Sequence, residues 1–231
     1  MLRPIAPPLL GDVARRAPAV GDCGEPAADV AHAPFPPELR ELESFECIAG
    51  RREDYVGPTD ESNWVLPGKL MVGAFPGVAD DDENERLLTS ILEMGITTFV
   101  CLQREYEPDA PEIAWRTGQA IRPYFTSAVN VAAQLDASSA EAPPRKLAFI
   151  HFGIVDCATV EDDAVLRFVR ALALRLRNAA EVVYLHCWGG HGRTGTVVCL
   201  LLYLLYGLDA RQALHRCQFV HDLRRVPCAL R

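Results

Sequence analysis

The chain is 231 residues long, carries a formal net charge of −8 and is 49% hydrophobic. That length suits one domain with a tail, and the apolar share is enough to build a buried core. The negative balance excludes the broad basic face of a nucleic-acid binder. A phosphate site stays open, because it needs only a local positive field.

Residues 1–38 are rich in Ala and Pro and show no apolar period. Such a segment buries too little surface to offset its ordering entropy, so a disordered tail is expected. Its Arg3, Arg15 and Arg16 suggest an organelle transit peptide, a reading that Asp12, Asp22 and Glu25 oppose. Residues 39–63 form an ambiguous lead-in, and the folded domain is expected over 64–231.

Lys69–Ala74 reads as a first strand, ended by Pro76-Gly77. Leu87, Leu88, Ile91 and Leu92 then recur at helical spacing, between an acidic start and Gly95. Thr97–Leu102 is β-branched and apolar, the composition of a buried strand. Residues 103–145 are polar and broken by Pro, with a short helix over 125–135. Leu147–Ile154 reads as a strand, and Thr159 with Asp162 has the spacing of a capping box. Val165, Phe168, Val169, Leu172 and Leu176 follow as one apolar helical stripe. Val182–His186 is a short strand, Thr194 starts an apolar helix that ends at Gly207, and Asp209 with Gln212 opens the last helix. This alternation predicts an α/β fold, a mostly parallel central sheet flanked by helices. Sites in such folds form at the carboxyl ends of strands.

Eight cysteines, at 23, 47, 101, 157, 187, 199, 217 and 228, lie in a chain without the layout of a secretory signal. Reduced thiols in an intracellular, cytoplasmic protein are expected, with organelle targeting by the tail left open. The longest apolar stretch, Val197–Leu208, is too short to cross a bilayer, so no membrane span is expected.

The chemistry concentrates in His186-Cys187-Trp188-Gly189-Gly190-His191-Gly192-Arg193-Thr194-Gly195, where a strand runs through a glycine-rich loop into a helix. Glycines let such a loop turn its N–H groups inward, and the helix aims its positive end at the same place. A dianion would be held by the main chain of Trp188, Gly189, Gly190, His191, Gly192 and Arg193. The Arg193 guanidinium adds two parallel donors. The same field favours a thiolate at Cys187, and a thiolate beside bound phosphate can attack phosphorus.

This loop resembles the signature of the protein tyrosine and dual-specificity phosphatase superfamily. Trp64-Val65-Leu66-Pro67-Gly68-Lys69-Leu70 through Pro76-Gly77 is similar to the opening of its small members. The resemblance covers roughly residues 60–225. It implies Cys187 as nucleophile, Arg193 as binder of substrate and transition state, and Thr194 as a group that helps the sulfur leave. It also implies His186 as an orienting residue behind the loop. The family's general acid is expected at Asp156, just past a strand, with Asp162 and Asp163 in reserve. Trp188 stands where the family often has a small residue; packing under the loop is the expectation for it, with a place on the loop's rim as the alternative.

The resemblance implies no metal and no organic cofactor. No tyrosine-recognition loop and no late water-positioning glutamine are found, which favours a compact dual-specificity design. His191 is the one titratable side chain between Cys187 and Arg193. Family members that act on inositol phosphates often carry lysines there, so phosphorylated proteins are the expected substrates, phosphotyrosine before phosphoserine or phosphothreonine. A phosphoinositide or small-molecule phosphatase and a catalytically inactive phosphate-binding module remain as alternatives. Oligomeric state is left open. Cys101, at a strand end, resembles the resolving cysteine of tensin-homologue lipid phosphatases, and Cys157 is a second possible redox partner of Cys187.

Overall fold

The computed structural model of the chain describes residues 39–138, 145–158, 160–178 and 180–226. The tail expected over 1–38 and the Thr159 of the expected capping box lie outside them.

Five strands form one sheet: β1 (Ser62–Leu66), β2 (Leu70–Gly73), β3 (Thr98–Gln103), β4 (Ala148–Ile154) and β5 (Val183–His186). Their order is β1-β2-β5-β3-β4. β1 runs antiparallel to β2, and every other pairing is parallel. The fold is therefore α/β with a mostly parallel sheet, as the alternation of elements implied. All residues of β3 and β5 are buried, which is why they read as unbroken apolar or β-branched runs. β4, on the edge, is only half-buried.

Among the described residues, seven α-helices accompany this sheet: α1 (Phe45–Gly50), α2 (Asp81–Glu93), α3 (Glu112–Arg116), α4 (Phe125–Ser138), α5 (Asp162–Leu176), α6 (Gly192–Tyr206) and α7 (Ala210–His221). α2 packs on α4, and α6 packs on both α5 and α7. α2 begins at Asp80, whose carboxylate accepts from the Glu83 N–H at 2.9 Å, and three acidic residues face its positive end. It buries Leu88, Ile91 and Leu92. Each such side chain contributes about 1.5–3 kcal/mol when removed from water. α6 ends where Gly207 adopts φ +68 and returns its N–H to Tyr203. The Asp209–Gln212 capping box opens α7 as read from the sequence.

The start of α5 differs from expectation. Its N-cap is Glu161, without a side-chain cap, and Asp162 is the first helical residue. Asp162 therefore does not sit at the third helical position of a capping box. Asp162 and Asp163 instead place their charge against the positive end of the helix.

The lead-in 39–63 also folds. Ser44 caps α1, Ile48 and Tyr55 are buried in the core, and Trp64 donates its N–H to the Tyr55 carbonyl at 2.8 Å. Among the described residues, no single helix is long and apolar enough to cross a membrane.

Candidate active site

Gly73 on β2, His186 on β5 and Cys101 on β3 are register partners, a row at the carboxyl edge of the parallel strands. The segments leaving this edge carry the groups singled out in the sequence, as the strand-end rule anticipates.

β5 delivers Cys187, which is 4% exposed, into the turn that opens α6. Gly190 makes the turn possible. Its φ is +69, and a Cβ there would lie 2.5 Å from the Gly73 carbonyl carbon. Gly192 has open space at the same position, so the loop's glycines are not equivalent.

The loop's carbonyls are held from outside. The Phe75 N–H donates to the Trp188 carbonyl at 2.9 Å. Arg224, 1% exposed, donates to the carbonyls of Gly189 and Gly190 at 3.3 and 3.1 Å, and its Nε donates to Asn63 Oδ1 at 2.7 Å. Among the described residues, no main-chain N–H from Trp188 to Arg193 donates to another protein atom. Carbonyls engaged on one side and donors left over on the other are the makings of an anion nest.

Arg193, the second residue of α6, is 6% exposed. Its Nη1 donates to both carboxylate oxygens of Glu105, at 3.0 and 2.8 Å, and to the Ile154 carbonyl at 3.2 Å. Its Nη2 lies 3.3 Å from Asp156 Oδ1. Burial, the largest single influence, disfavours the Arg193 charge, but the bond to Glu105, the Glu105 charge and the other negative groups nearby together outweigh it and raise the pKa. Burial is likewise the largest influence on Glu105 and raises it, but the bond to Arg193, a backbone bond, the Arg193 charge and the bond from Gln103 together hold the carboxyl below its usual range. The guanidinium is thus a fixed cation beside Cys187.

Asp156 lies two residues past β4 and is exposed. The neighbouring Cys157 has φ +55, a left-handed conformation that holds the loop in a sharp turn. Asp162 and Asp163, the reserves, sit in the first turn of α5 instead.

Behind the loop, His186 is fully buried, with Nδ1 3.4 Å from the Cys187 carbonyl and Nε2 2.7 Å from the Tyr124 hydroxyl. A carbonyl can only accept, so Nδ1 carries the proton and Nε2 accepts from Tyr124. Burial pushes the His186 pKa down to about 3, so the ring is neutral. Thr194 Oγ1 is buried with no hydrogen-bond partner among the described residues.

His191 turns its ring onto His221 of α7, centroids 4.0 Å apart. Burial, then the Arg224 charge, lowers its pKa. The His191 side chain is therefore disfavoured as a cation. Cys101 is fully buried, and burial pushes its thiol up to about 12; Cys157 is exposed. Both are free thiols.

Trp188 departs from expectation. It is 56% exposed and stacks on Phe75, centroids 6.0 Å apart and planes at 14°, so it forms a rim and not core.

Sequence reasoning missed Glu105, Tyr124, Phe75 and Arg224. Glu105 had a signal, since it stands two residues beyond β3, where the strand-end rule places site residues. Arg224 had none, since nothing local marks it as a partner of the loop.

A family model described as PTP-SAK, Swiss Army Knife protein, DSP-PTPase phosphatase domain, matches residues 59–229. A curated relative, the tyrosine-protein phosphatase cdc-14 of Caenorhabditis elegans, is 25% identical over 156 residues, covering 66% of this chain. The match spans 18% of that protein's length. Among solved structures, Tk-PTP is similar with TM-score 0.46 and 19% identity, covering 71% of this chain and 92% of that one. TpbA of P. aeruginosa is similar with TM-score 0.44 and 17% identity, covering 71% and 78%. Human DUSP28 is similar with TM-score 0.41 and 19% identity, covering 72% and 84%.

Proposed function

The chain belongs to the PTP-SAK family of DSP-PTPase phosphatase domains, within the dual-specificity phosphatase superfamily, and from that premise we propose that it hydrolyses phosphate monoesters through a cysteinyl-phosphate on Cys187. The observation that carries the reading is the buried Arg193, fixed by Glu105 and the Ile154 carbonyl beside Cys187.

The phosphoryl oxygens take the N–H groups of Trp188 to Arg193 and the Arg193 guanidinium, which replace water around the dianion. The Cys187 thiolate attacks phosphorus in line with the ester oxygen. Asp156, protonated, gives its proton to the leaving oxygen as the P–O bond breaks. The Asp156 carboxylate then takes a proton from water, and that water attacks the phosphorus of the cysteinyl-phosphate. Thr194 donates to the departing sulfur. The products are an alcohol or phenol and inorganic phosphate, and the thiolate is regenerated. The Arg193–Asp156 contact at 3.3 Å brings the proposed acid beside the guanidinium that receives the phosphoryl group.

Phosphorylated protein is the favoured substrate, phosphotyrosine first. Between Cys187 and Arg193 no side chain offers a second fixed cation for a polyphosphorylated ring, since His191 is turned to His221. The Trp188–Phe75 pair adds an aromatic rim on which a phenyl ring can lie. The test is turnover of an aryl phosphate by the native chain and by Cys187→Ser, together with a panel of phosphotyrosine, phosphoserine and phosphoinositide substrates. The expected result is activity in the native chain, none in the variant, and retained phosphate binding in both. A native chain that binds phosphate without turning over any ester would instead be a binding module.

A further inference from the structure

We propose that Cys199 and Cys217 form an oxidisable dithiol, a modification site apart from the phosphate loop, which closes to a disulfide between α6 and α7. His191, Gly195 and Cys199 follow one another at four-residue spacing and share one face of α6 and its lead-in. Cys217 and His221 share one face of α7 at the same spacing. The two faces meet. The His191 and His221 rings are 4.0 Å apart. The Cys217 sulfur is 3.8 Å from the point where a Cβ on Gly195 would stand, so the absent side chain leaves the sulfur room. One turn further along α6, Cys199 lies near enough to Cys217 for each thiol to shift the other's ionisation. Both residues are partly exposed, so a small oxidant reaches them, whereas Cys101 is fully buried.

The pair needs no built-in asymmetry to oxidise, because either sulfur, as thiolate, can attack while the other resolves. With a peroxide as oxidant, the attacking sulfur cleaves the O–O bond, forming a sulfenic acid and releasing one water. The second sulfur then displaces the hydroxyl from that sulfenic acid, forming the S–S bond and releasing a second water. Two thiols lose two hydrogens in all, and the peroxide is reduced to two waters. The cross-link would join the helix that carries Arg193 near its start to the one whose far end leads to Arg224, the loop's clamp.

The site can be tested on the full chain, both native and in a Cys187→Ser background that removes the loop nucleophile. After mild hydrogen peroxide, free thiols are alkylated and the protein is cut with trypsin, which separates Thr194–Arg211 from Cys217–Arg224. The expected result is that these two peptides are recovered joined, are released by dithiothreitol, and stay separate in Cys199→Ser and in Cys217→Ser. Recovery of both cysteines as alkylated thiols in the native chain, or of Cys199 as sulfinic acid with no joined peptide, overturns the proposal. Because the first readout uses the unmutated pair, it stands even where a serine variant folds poorly. It is also independent of whether the phosphate loop turns over any substrate.

Discussion

The Tyr124 hydroxyl stands 2.7 Å from Nε2 of the buried His186, whose other ring nitrogen faces the carbonyl of Cys187. One phenol thus fixes the tautomer and the tilt of the imidazole on which the loop rests. Tyr124→Phe removes the donor and leaves Nε2 without a partner in an apolar setting. A loss of about 1–3 kcal/mol is expected in urea unfolding. Turnover should fall far less than in Cys187→Ser, because no reacting atom is removed.

Glu105 holds Arg193 without touching substrate. Glu105→Gln keeps the shape but gives up the charge-assisted bonds at 3.0 and 2.8 Å. Such bonds contribute about 1.5–3 kcal/mol, so kcat/KM for an aryl phosphate should fall about ten- to a hundredfold. An unchanged kcat/KM would show that Arg193 is positioned without it.

Asp156→Ala separates acid catalysis from binding. On an alkyl phosphate, whose alcohol leaves poorly, the loss should approach 10²–10⁴-fold, roughly the range for general acids. On p-nitrophenyl phosphate, whose phenolate needs little protonation, it should be much smaller. Equal losses on both would remove Asp156 from the role.

Gly190 and Gly192 make a paired test of the loop. Gly190→Ala combines a positive φ with a clash against the Gly73 carbonyl and should cost about 3 kcal/mol or more in stability. Gly192→Ala, with open space at its Cβ, should shift stability by no more than about 0.5 kcal/mol. Thermal unfolding of the two variants gives the comparison directly.

Stability should decline as the solution is acidified below the ordinary histidine value of 6.5. His186 and His221 are pushed down to about 3 and about 4, in each case first by burial, and His191 is also lowered. These rings stay neutral when folded and gain a proton when unfolded, so the unfolded chain binds more protons. Each contributes a slope of about 1.4 kcal/mol per pH unit between its two values. Glu105, lowered from 4.5, adds its own loss only below that value. His221→Gln should reduce the slope of unfolding free energy against pH between pH 6.5 and 5 by up to about 1.4 kcal/mol per pH unit, read from urea unfolding.

Much of this was legible in the chain because its signals are local. The apolar runs of β3 and β5, the stripe along α5, and the Asp209–Gln212 box each depend on residues within a few positions of one another. The strand-loop-helix around Cys187 is equally local, and Asp156 follows from its place after β4. What escaped depends on distant partners. β1 and α1 are completed by pairing and packing that the lead-in does not announce. Arg224 reaches back 35 and 34 positions to Gly189 and Gly190. Trp188 was misplaced for a related reason: the ring it stacks on, Phe75, lies more than a hundred positions earlier in the chain.

The turn that carries Cys187 hangs from β5, the middle strand of five, while β1 and β4 form the two borders of the sheet. Neither border is idle scaffolding: the Ile154 carbonyl at the end of β4 holds Arg193, and Asn63 on β1 holds Arg224. Shortening or re-registering either outer strand would therefore be felt at the centre, and protein engineers should leave both margins intact when attaching new recognition elements.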